Sequence, residues 1–314
     1  FGPEREGDRR ALARWCATVG PPVVRAVPAR EFPALREHDS IQIVTWNAHV
    51  GSGDFEGFLW EELGYRCDAS QGLGFDGHFV LLAQEVFRAS DAVPEATDDL
   101  PVPRRIEGHP ESGHRLDIVQ VAEDCGLSLF YAPSMRNGRQ RGPDGREDRG
   151  SALLSTLSLS DLVAVELPLE AQRRVTPIAS VTVPGAETLR VANVHLDVAG
   201  NLRRVLGTGG SMRGRQAVGL LEVFDSLDPT GAVPIVMAGD MNTWSERETV
   251  ILRMLEVFPE SPPPGLENTR SGWPADHLFY RQGESGLELL EGSYEVLPNA
   301  HGSDHRARVV TLMR

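Results

Sequence analysis

VMAGDMNTW, residues 236–244, decides how this chain is read. A short apolar run leads straight into Gly-Asp-Met-Asn, the pattern of a strand that delivers a carboxylate and an amide at its C-terminal end. Side chains alternate along a strand, so Asp240 and Asn242 are expected on one face, and Gly239 lets backbone or ligand approach closely. A carboxylate beside an amide suits a phosphate site, because Asp240 can hold a water or a metal ion while Asn242 donates to a phosphoryl oxygen. Gly-Asp followed by Asn is also ordinary turn chemistry, so the motif gains its meaning from partners elsewhere.

Outward from that stretch, further strands end on polar groups. IQIVTWN (41–47) alternates as a strand ending on Asn47, and HFVLLAQE (78–85) is expected to end on Glu85. Residues 175–183 and 189–196 read as a hairpin closed at Pro184 and Gly185, with Asn193 and His195 on one face. ADHLFYR (275–281) sets Asp276 at the mouth of a strand, and HGSDHRARVV (301–310) sets Asp304 and His305 directly before the terminal strand. Each residue alone has an ordinary reading: Asn47 as a turn cap, Glu85 as a solvated acid, His195 as a structural imidazole. Helical spacing marks 8–19, 55–63, 116–125, 218–227 and 250–258, while the Pro-rich run 20–33 reads as an extended tether. The expected organisation is therefore an N-terminal helix and Pro-rich extension over 1–39, followed by one domain over 40–314.

Residues 89–114 form a Pro-rich, acidic stretch without periodicity, expected as a long loop, in which His109 and His114 lack a partner at metal spacing. Two further loops concentrate arginine among glycines. One, 137–149, ends at Arg149; the other, 201–215, carries Arg203, Arg204, Arg213 and Arg215. Their composition suits gripping phosphate on a mobile segment and equally suits a solvated loop.

The chain has 314 residues, of which 40% are hydrophobic and 24% charged, enough for a substantial core. A net charge of −14 argues against the broad basic footprint of a non-specific nucleic-acid binder, while leaving room for a local basic patch. All 31 basic residues are arginine, so Schiff-base chemistry and P-loop nucleotide binding, which need lysine, are excluded. Cys16, Cys67 and Cys125 are too few and scattered for a disulfide framework or zinc cluster, and are expected as buried free thiols. No apolar run reaches membrane-spanning length. The chain begins at Phe1, so an export signal or anchor ahead of it, and with it the compartment, is left open.

Taken in order, TWN, QE, NVH, GDMN, the Asp of ADHLFYR and SDH resemble the endonuclease/exonuclease/phosphatase superfamily over about residues 41–310. RGSALLS (149–155) is similar to the family's strand after the mid-chain loop. The resemblance implies a four-layer α/β sandwich, two mixed β-sheets packed face to face with helices outside. It also implies site roles. Asn47 and Glu85 would hold a divalent metal, Mg²⁺ or Mn²⁺ by the hardness of their oxygens, with Asp304 as a candidate further ligand. Asp240 would orient or deprotonate the attacking water, or bind a second metal, and Asn242 would steady a phosphoryl oxygen. Asp276 and His305 resemble the family's carboxylate–imidazole pair, and His195 its second imidazole, donating to the phosphate or the leaving oxygen.

The expected activity is hydrolysis of a phosphodiester by in-line attack of water. A phospholipid-headgroup or inositol-phosphate hydrolase and a catalytically silent binding module of the same fold are the alternatives. His195 in NVHLD resembles the deoxyribonuclease, sphingomyelinase and inositol-phosphatase branches, whereas the AP-endonuclease branch commonly carries Tyr there. The expected partner is a phosphate-ester substrate, with no obligate protein partner evident. Trp244 and Trp273, near the motifs in sequence, are expected to pack in the core, with stacking on a base or lining an apolar pocket as the functional reading.

Overall fold

The computed structural model describes residues 6–26, 40–67, 77–95, 97, 101, 117–137, 145–183, 188–198, 209–263 and 267–314. Its first half builds α1 (Glu6–Cys16), β1 (Val23–Arg25), β2 (Ser40–Asn47), α2 (Phe55–Glu61), β3 (His78–Ala89), α3 (Ile118–Asp124), β4 (Ser128–Arg136) and β5 (Glu147–Ser155). β6 (Leu159–Glu166), β7 (Val175–Thr182), β8 (Thr188–His195), α4 (Gly209–Leu227), β9 (Ile235–Asp240), α5 (Thr249–Val257) and β10 (Asp276–Arg281) follow. β11 (Glu288–Leu289), β12 (Glu295–Val296) and β13 (Arg308–Met313) complete the chain.

The strands form two mixed sheets. The larger runs β1-β4-β5-β3-β2-β13-β11 with β12 also on β13, and the smaller runs β10-β9-β8-β7-β6. Alternating apolar residues explain how they stack. Ile41 and Ile43 of β2, Val80 and Leu82 of β3, and Val236 and Ala238 of β9 fill the layer between the sheets. Val44, Trp46, Phe79 and Leu81 face the other way, onto α2 and α3. Ile235 and Met237 likewise turn outward, onto α4 and α5. Strands buried on both faces must read as near-continuous apolar runs, and each such side chain withdrawn from water contributes about 2 kcal/mol. The result is the expected four-layer sandwich, helices outside and two sheets within. Asp54 and Asp117 start α2 and α3 by accepting the backbone N–H groups of Gly57 and Val119.

Each sheet carries the same three-strand unit. β2 pairs parallel with β3 and antiparallel with β13; β9 pairs parallel with β8 and antiparallel with β10. Both units therefore end on the same edge of the sandwich, with Asn47 in one and His195 beside Asp240 in the other.

Several expectations need correction. The Pro-rich run is not a free tether throughout: Val23–Arg25 adds an edge strand to β4, Gly20 N–H donates to Asp148, and Arg88 donates to the Pro21 carbonyl. Cys67 and Cys125 are disulfide-bonded, and free Cys16 is exposed; the bonded pair lies 58 positions apart in sequence, and folding α3 under the sheet brings them together. β3 does not stop at Glu85 but continues to Ala89 through a bulge. α4 starts at Gly209, so Arg213 and Arg215 lie on a helix rather than in a loop. The 175–183/189–196 hairpin is present as β7 and β8, while its turn at Pro184 and Gly185 lies outside the described residues. Among the described residues no helix is long and apolar enough to cross a membrane.

Candidate active site

The shared edge of the two sheets gathers the residues of the six motifs. Asp240 is the last residue of β9, flanked in register by His195 at the end of β8 and Asp276 at the start of β10. Gly239, with φ at 150°, makes this packing possible: a Cβ there would lie 1.8 Å from the Val194 carbonyl oxygen. The close approach that the glycine permits is thus by the neighbouring strand. Asn242 lies beyond the strand in the left-handed region, φ 51°, where its N–H donates to Asp240 Oδ1 at 2.7 Å and its Nδ2 donates to the Leu196 carbonyl at 2.9 Å. It comes beside Asp240 through this turn and not through strand alternation.

Across the gap, Asn47 ends β2 and donates through Nδ2 to Asp240 Oδ2 at 2.9 Å, while its Oδ1 accepts the His49 N–H. Glu85 arrives differently. Strand alternation would send it to the helix side with Leu81 and Ala83. The bulge sets two residues of β3 against one of β5, and Glu85 takes φ 53°, a conformation costing about 1–3 kcal/mol. Its Oε1 then lies 3.8 Å from His195 Nε2 of the opposite sheet, and its Oε2 lies 4.0 Å from Arg149 Nη1. A layer of buried amides ties the sheets beneath: Gln84 Nε2 donates to Asn193 Oδ1 at 2.7 Å, and Asn193 Nδ2 donates to the Ala83 and Ala152 carbonyls.

His305 is pinned from several sides. Trp46, stacked on Phe58, donates its indole N–H to the His305 carbonyl; Ser303 Oγ accepts the His305 N–H and donates to the Asn47 carbonyl. Its Nδ1 donates to Asp276 Oδ2 at 2.7 Å, an oxygen that also accepts the Thr269 hydroxyl. Its Nε2 faces Asp240 Oδ2 at 4.0 Å and Asp304 Oδ1 at 3.7 Å. Asp304 gives its other oxygen to Arg270 at 2.6 Å, on the wall of a cleft of about 460 Å³ lined also by Glu267, Thr269 and Arg306.

The electrostatics separate these groups. Burial, reinforced by Asp276 and opposed by His305, raises the Asp240 carboxyl from 3.8 to about 6. Burial works against charge on His305, yet hydrogen-bonded Asp276, with Asp240 and Asp304 beyond it, outweighs burial and lifts it to about 10. Burial likewise opposes charge on Asp276, and His305 overcomes it, holding that carboxyl below its ordinary value. His195 goes the other way: burial, then Arg174 and Arg149, push it well below 6.5.

A hard divalent cation fits this donor set. Glu85 is largely buried, and its carboxylate makes no hydrogen bond among the described residues, leaving oxygens of the kind Mg²⁺ or Mn²⁺ prefer beside the Asn47 amide. Asp240, Asp276 and His305 form a second buried group whose ligand atoms lie within 4.8 Å of one another.

The arginines fare differently. Arg149 is buried on β5 beside Glu85. Arg213 is bound by Glu248, whose other oxygen accepts the Trp244 N–H, and Arg215 is bound at 2.6 Å by Glu170. Arg203, Arg204, His109, His114 and most of the 137–149 loop lie outside the described residues. Trp244 and Trp273 are exposed, 38% and 41%, and meet edge to face at 4.9 Å; the core reading fails because both sit on rim loops joined by the Thr243 hydroxyl and the Pro274 carbonyl. Sequence reading missed Arg174, which contacts His195, together with Gln84, Thr269 and Arg270. An arginine doublet at 173–174 reads as a solvated turn, and only its burial marks it.

A model of the Endonuclease/Exonuclease/phosphatase family matches residues 5–305. Comparison with curated proteins returned no match. Among solved structures, an endonuclease/exonuclease/phosphatase from Beutenbergia cavernae superposes with a TM-score of 0.60 at 18% identity, covering 88% of this chain and 72% of that one. The human Nocturnin catalytic domain with bound sulfate gives 0.53 at 17% identity, covering 90% and 97%. Sphingomyelinase C from Streptomyces griseocarneus gives 0.50 at 14% identity, covering 87% and 99%. At such identities the structural likeness is one of fold, while the family match spans nearly the whole sequence. The chain belongs to the endonuclease/exonuclease/phosphatase family.

Proposed function

We propose that this protein is a divalent-metal-dependent phosphodiesterase that hydrolyses its substrate by in-line attack of water. Members of its family are hydrolases of phosphoester bonds. The observation that carries the finer reading is the convergence of Asn47, Glu85, His195, Asp240, Asp276 and His305 on one edge of both sheets, with His195 Nε2 3.6 Å from Asp240 Oδ2. Glu85 and Asn47 would hold Mg²⁺ or Mn²⁺, with Asp304 at the margin; the ion supplies neutralisation of phosphoryl charge. Asp240, ionised above about pH 6, takes the proton of the attacking water. His305, an imidazolium at neutral pH, donates to a phosphoryl oxygen and balances the charge that builds as the P–O bond to the leaving group breaks. Asn242 and His195 complete the donors around the phosphoryl oxygens. Arg149 adds positive charge at the floor; Arg203 and Arg204 are retained as candidate substrate contacts.

A second reading, a phospholipid-headgroup hydrolase, is favoured by the exposed Trp244–Trp273 pair on the rim, since an amphipathic ring suits a membrane interface. The test is hydrolysis of bis(4-nitrophenyl) phosphate, a monoester, plasmid DNA and headgroup-bearing vesicles, with EDTA, Mg²⁺ or Mn²⁺ added. Diester turnover that needs metal and is lost in Asp240→Ala is expected. Turnover surviving both EDTA and the substitution would refute the reading, and preference for vesicles that falls in Trp273→Ala would select the lipid branch.

A further inference from the structure

We propose that Arg174 is a positioning residue that holds His195 in its Nε2–H tautomer, so that this imidazole meets the reacting phosphate as a neutral hydrogen-bond donor. The inference rests on the phosphoesterase reading for its consequence, but its premise is geometric. Arg174 Nη1 lies 3.0 Å from His195 Nδ1, and both residues are 5% exposed. A guanidinium carries five N–H donors and no acceptor. The contact is therefore a hydrogen bond only if Nδ1 presents its lone pair, and the ring hydrogen of a neutral imidazole must then be on Nε2. A doubly protonated ring would set N–H against N–H. Nε2 is buried and has no hydrogen-bond partner among the described residues. It lies 3.6 Å from Asp240 Oδ2 and 3.8 Å from Glu85 Oε1, too far to bond either but within the site.

Arg174 is itself held in place. Asp197 Oδ2 accepts the backbone N–H groups of Ala171 and Gln172 at 2.6 and 2.8 Å, which fixes the turn leading to Arg174, and Asp197 Oδ1 lies 3.9 Å from Arg174 Nε. Asp197 is in turn located by its own N–H, which donates to Gln216 Oε1 on α4. The two imidazoles of the site thus have opposite supports. A carboxylate stands behind His305 and accepts from its Nδ1; an arginine stands behind His195 and donates to its Nδ1. With its hydrogen on Nε2, His195 offers no lone pair to the reaction: it neither takes a proton from water nor ligates a cation there. It can only donate, to a phosphoryl oxygen.

The test is a ¹⁵N–¹H imidazole correlation spectrum of the full chain at neutral pH, with the His195 signals identified by their loss in His195→Gln. Expected is a bare Nδ1 and a protonated Nε2 in the wild type. Arg174→Met is expected to populate the Nδ1–H tautomer and to lower kcat on bis(4-nitrophenyl) phosphate about tenfold or more with KM within about twofold. Arg174→Lys, which keeps a donor, is expected to keep the bare Nδ1 and recover much of kcat. A wild-type His195 protonated on Nδ1, or an Arg174→Met protein with unchanged tautomer, would overturn the proposal. Should Arg174→Met not fold, the wild-type spectrum decides alone. A wild type that turns over no phosphoester would refute the phosphoesterase reading while leaving the tautomer to be judged on its own spectrum.

Discussion

His305 owes its charge to Asp276. Removing that carboxylate in Asp276→Asn leaves burial opposed only by Asp240 and Asp304, so the His305 pKa is expected to fall from about 10, read by NMR titration, with kcat falling by about 10² or more. In the intact pair the folded pKa lies above the unfolded 6.5. The stabilisation is therefore full below pH 6.5 and is lost as pH rises towards 10. His277 shows the opposite sign. It is buried against the Pro274 carbonyl and the Thr243 hydroxyl, and burial followed by Arg308 lowers it to about 4. Its contribution is full above pH 6.5 and is lost as pH falls to about 4, a change on the order of 3 kcal/mol. Urea unfolding of His277→Gln beside wild type across that window is expected to show a shallower acid loss in the variant; parallel curves would contradict the assignment.

At the scale of elements, the site depends on how closely β8 and β9 approach and how the sheets face each other. Gly239→Ala drives a methyl into the Val194 carbonyl and is expected to cost more than about 3 kcal/mol in chemical denaturation, far beyond the helix and strand preferences of alanine. Gln84 and Asn193 bridge the sheets directly below Glu85 and His195. A double-mutant cycle of Gln84→Ala and Asn193→Ala is expected to give a coupling of about 0.5–3 kcal/mol, because the two amides share a buried hydrogen bond and Asn193 left alone keeps an Oδ1 without its donor. Additive effects would show that the bridge is not an energetic unit. The bulge in β3 is the device that makes a sandwich edge into a site. It lets a strand buried on both faces keep its core alternation up to Gln84 and still aim Glu85 across the gap.

For the molecule as a whole, the Cys67–Cys125 bond ties the segment after α2 to the end of α3, closing 58 residues of sequence. By loop entropy its loss is worth about 4 kcal/mol. Cys67→Ser/Cys125→Ser protein, or wild type under reductant, is expected to unfold at lower denaturant with the site chemistry intact, because the bond lies under the helix-side layer and away from the strand ends. The docking of β1 on β4, with Arg88 and Asp148 gripping the backbone at Gly20 and Pro21, shows that the fold's first sheet begins before residue 40.

By itself the sequence supplied the strand pattern and the polar residues at the strand ends, and the layers followed from its resemblance to the family. The alternation in IQIVTW marks a strand, the continuous apolar run IVMA fits one buried on both faces, and the polar residues at the strand ends, Asn47, His195 and Asp240, are candidates to meet on one edge. Tertiary structure alone decided what those residues do to one another. Glu85 reaches the site through a bulge and a left-handed backbone, Asn242 through a turn, and Arg174 through burial, none of which a local pattern encodes. Cys67 and Cys125, read as separate thiols, meet because α3 packs beneath β4, and Trp244 and Trp273 meet on the rim because two loops are joined by one hydroxyl. The physical reason is common to all of them. Local sequence sets periodicity and burial tendency, whereas proton position, carboxylate pKa and pairing depend on distances of a few ångströms between segments far apart in the chain.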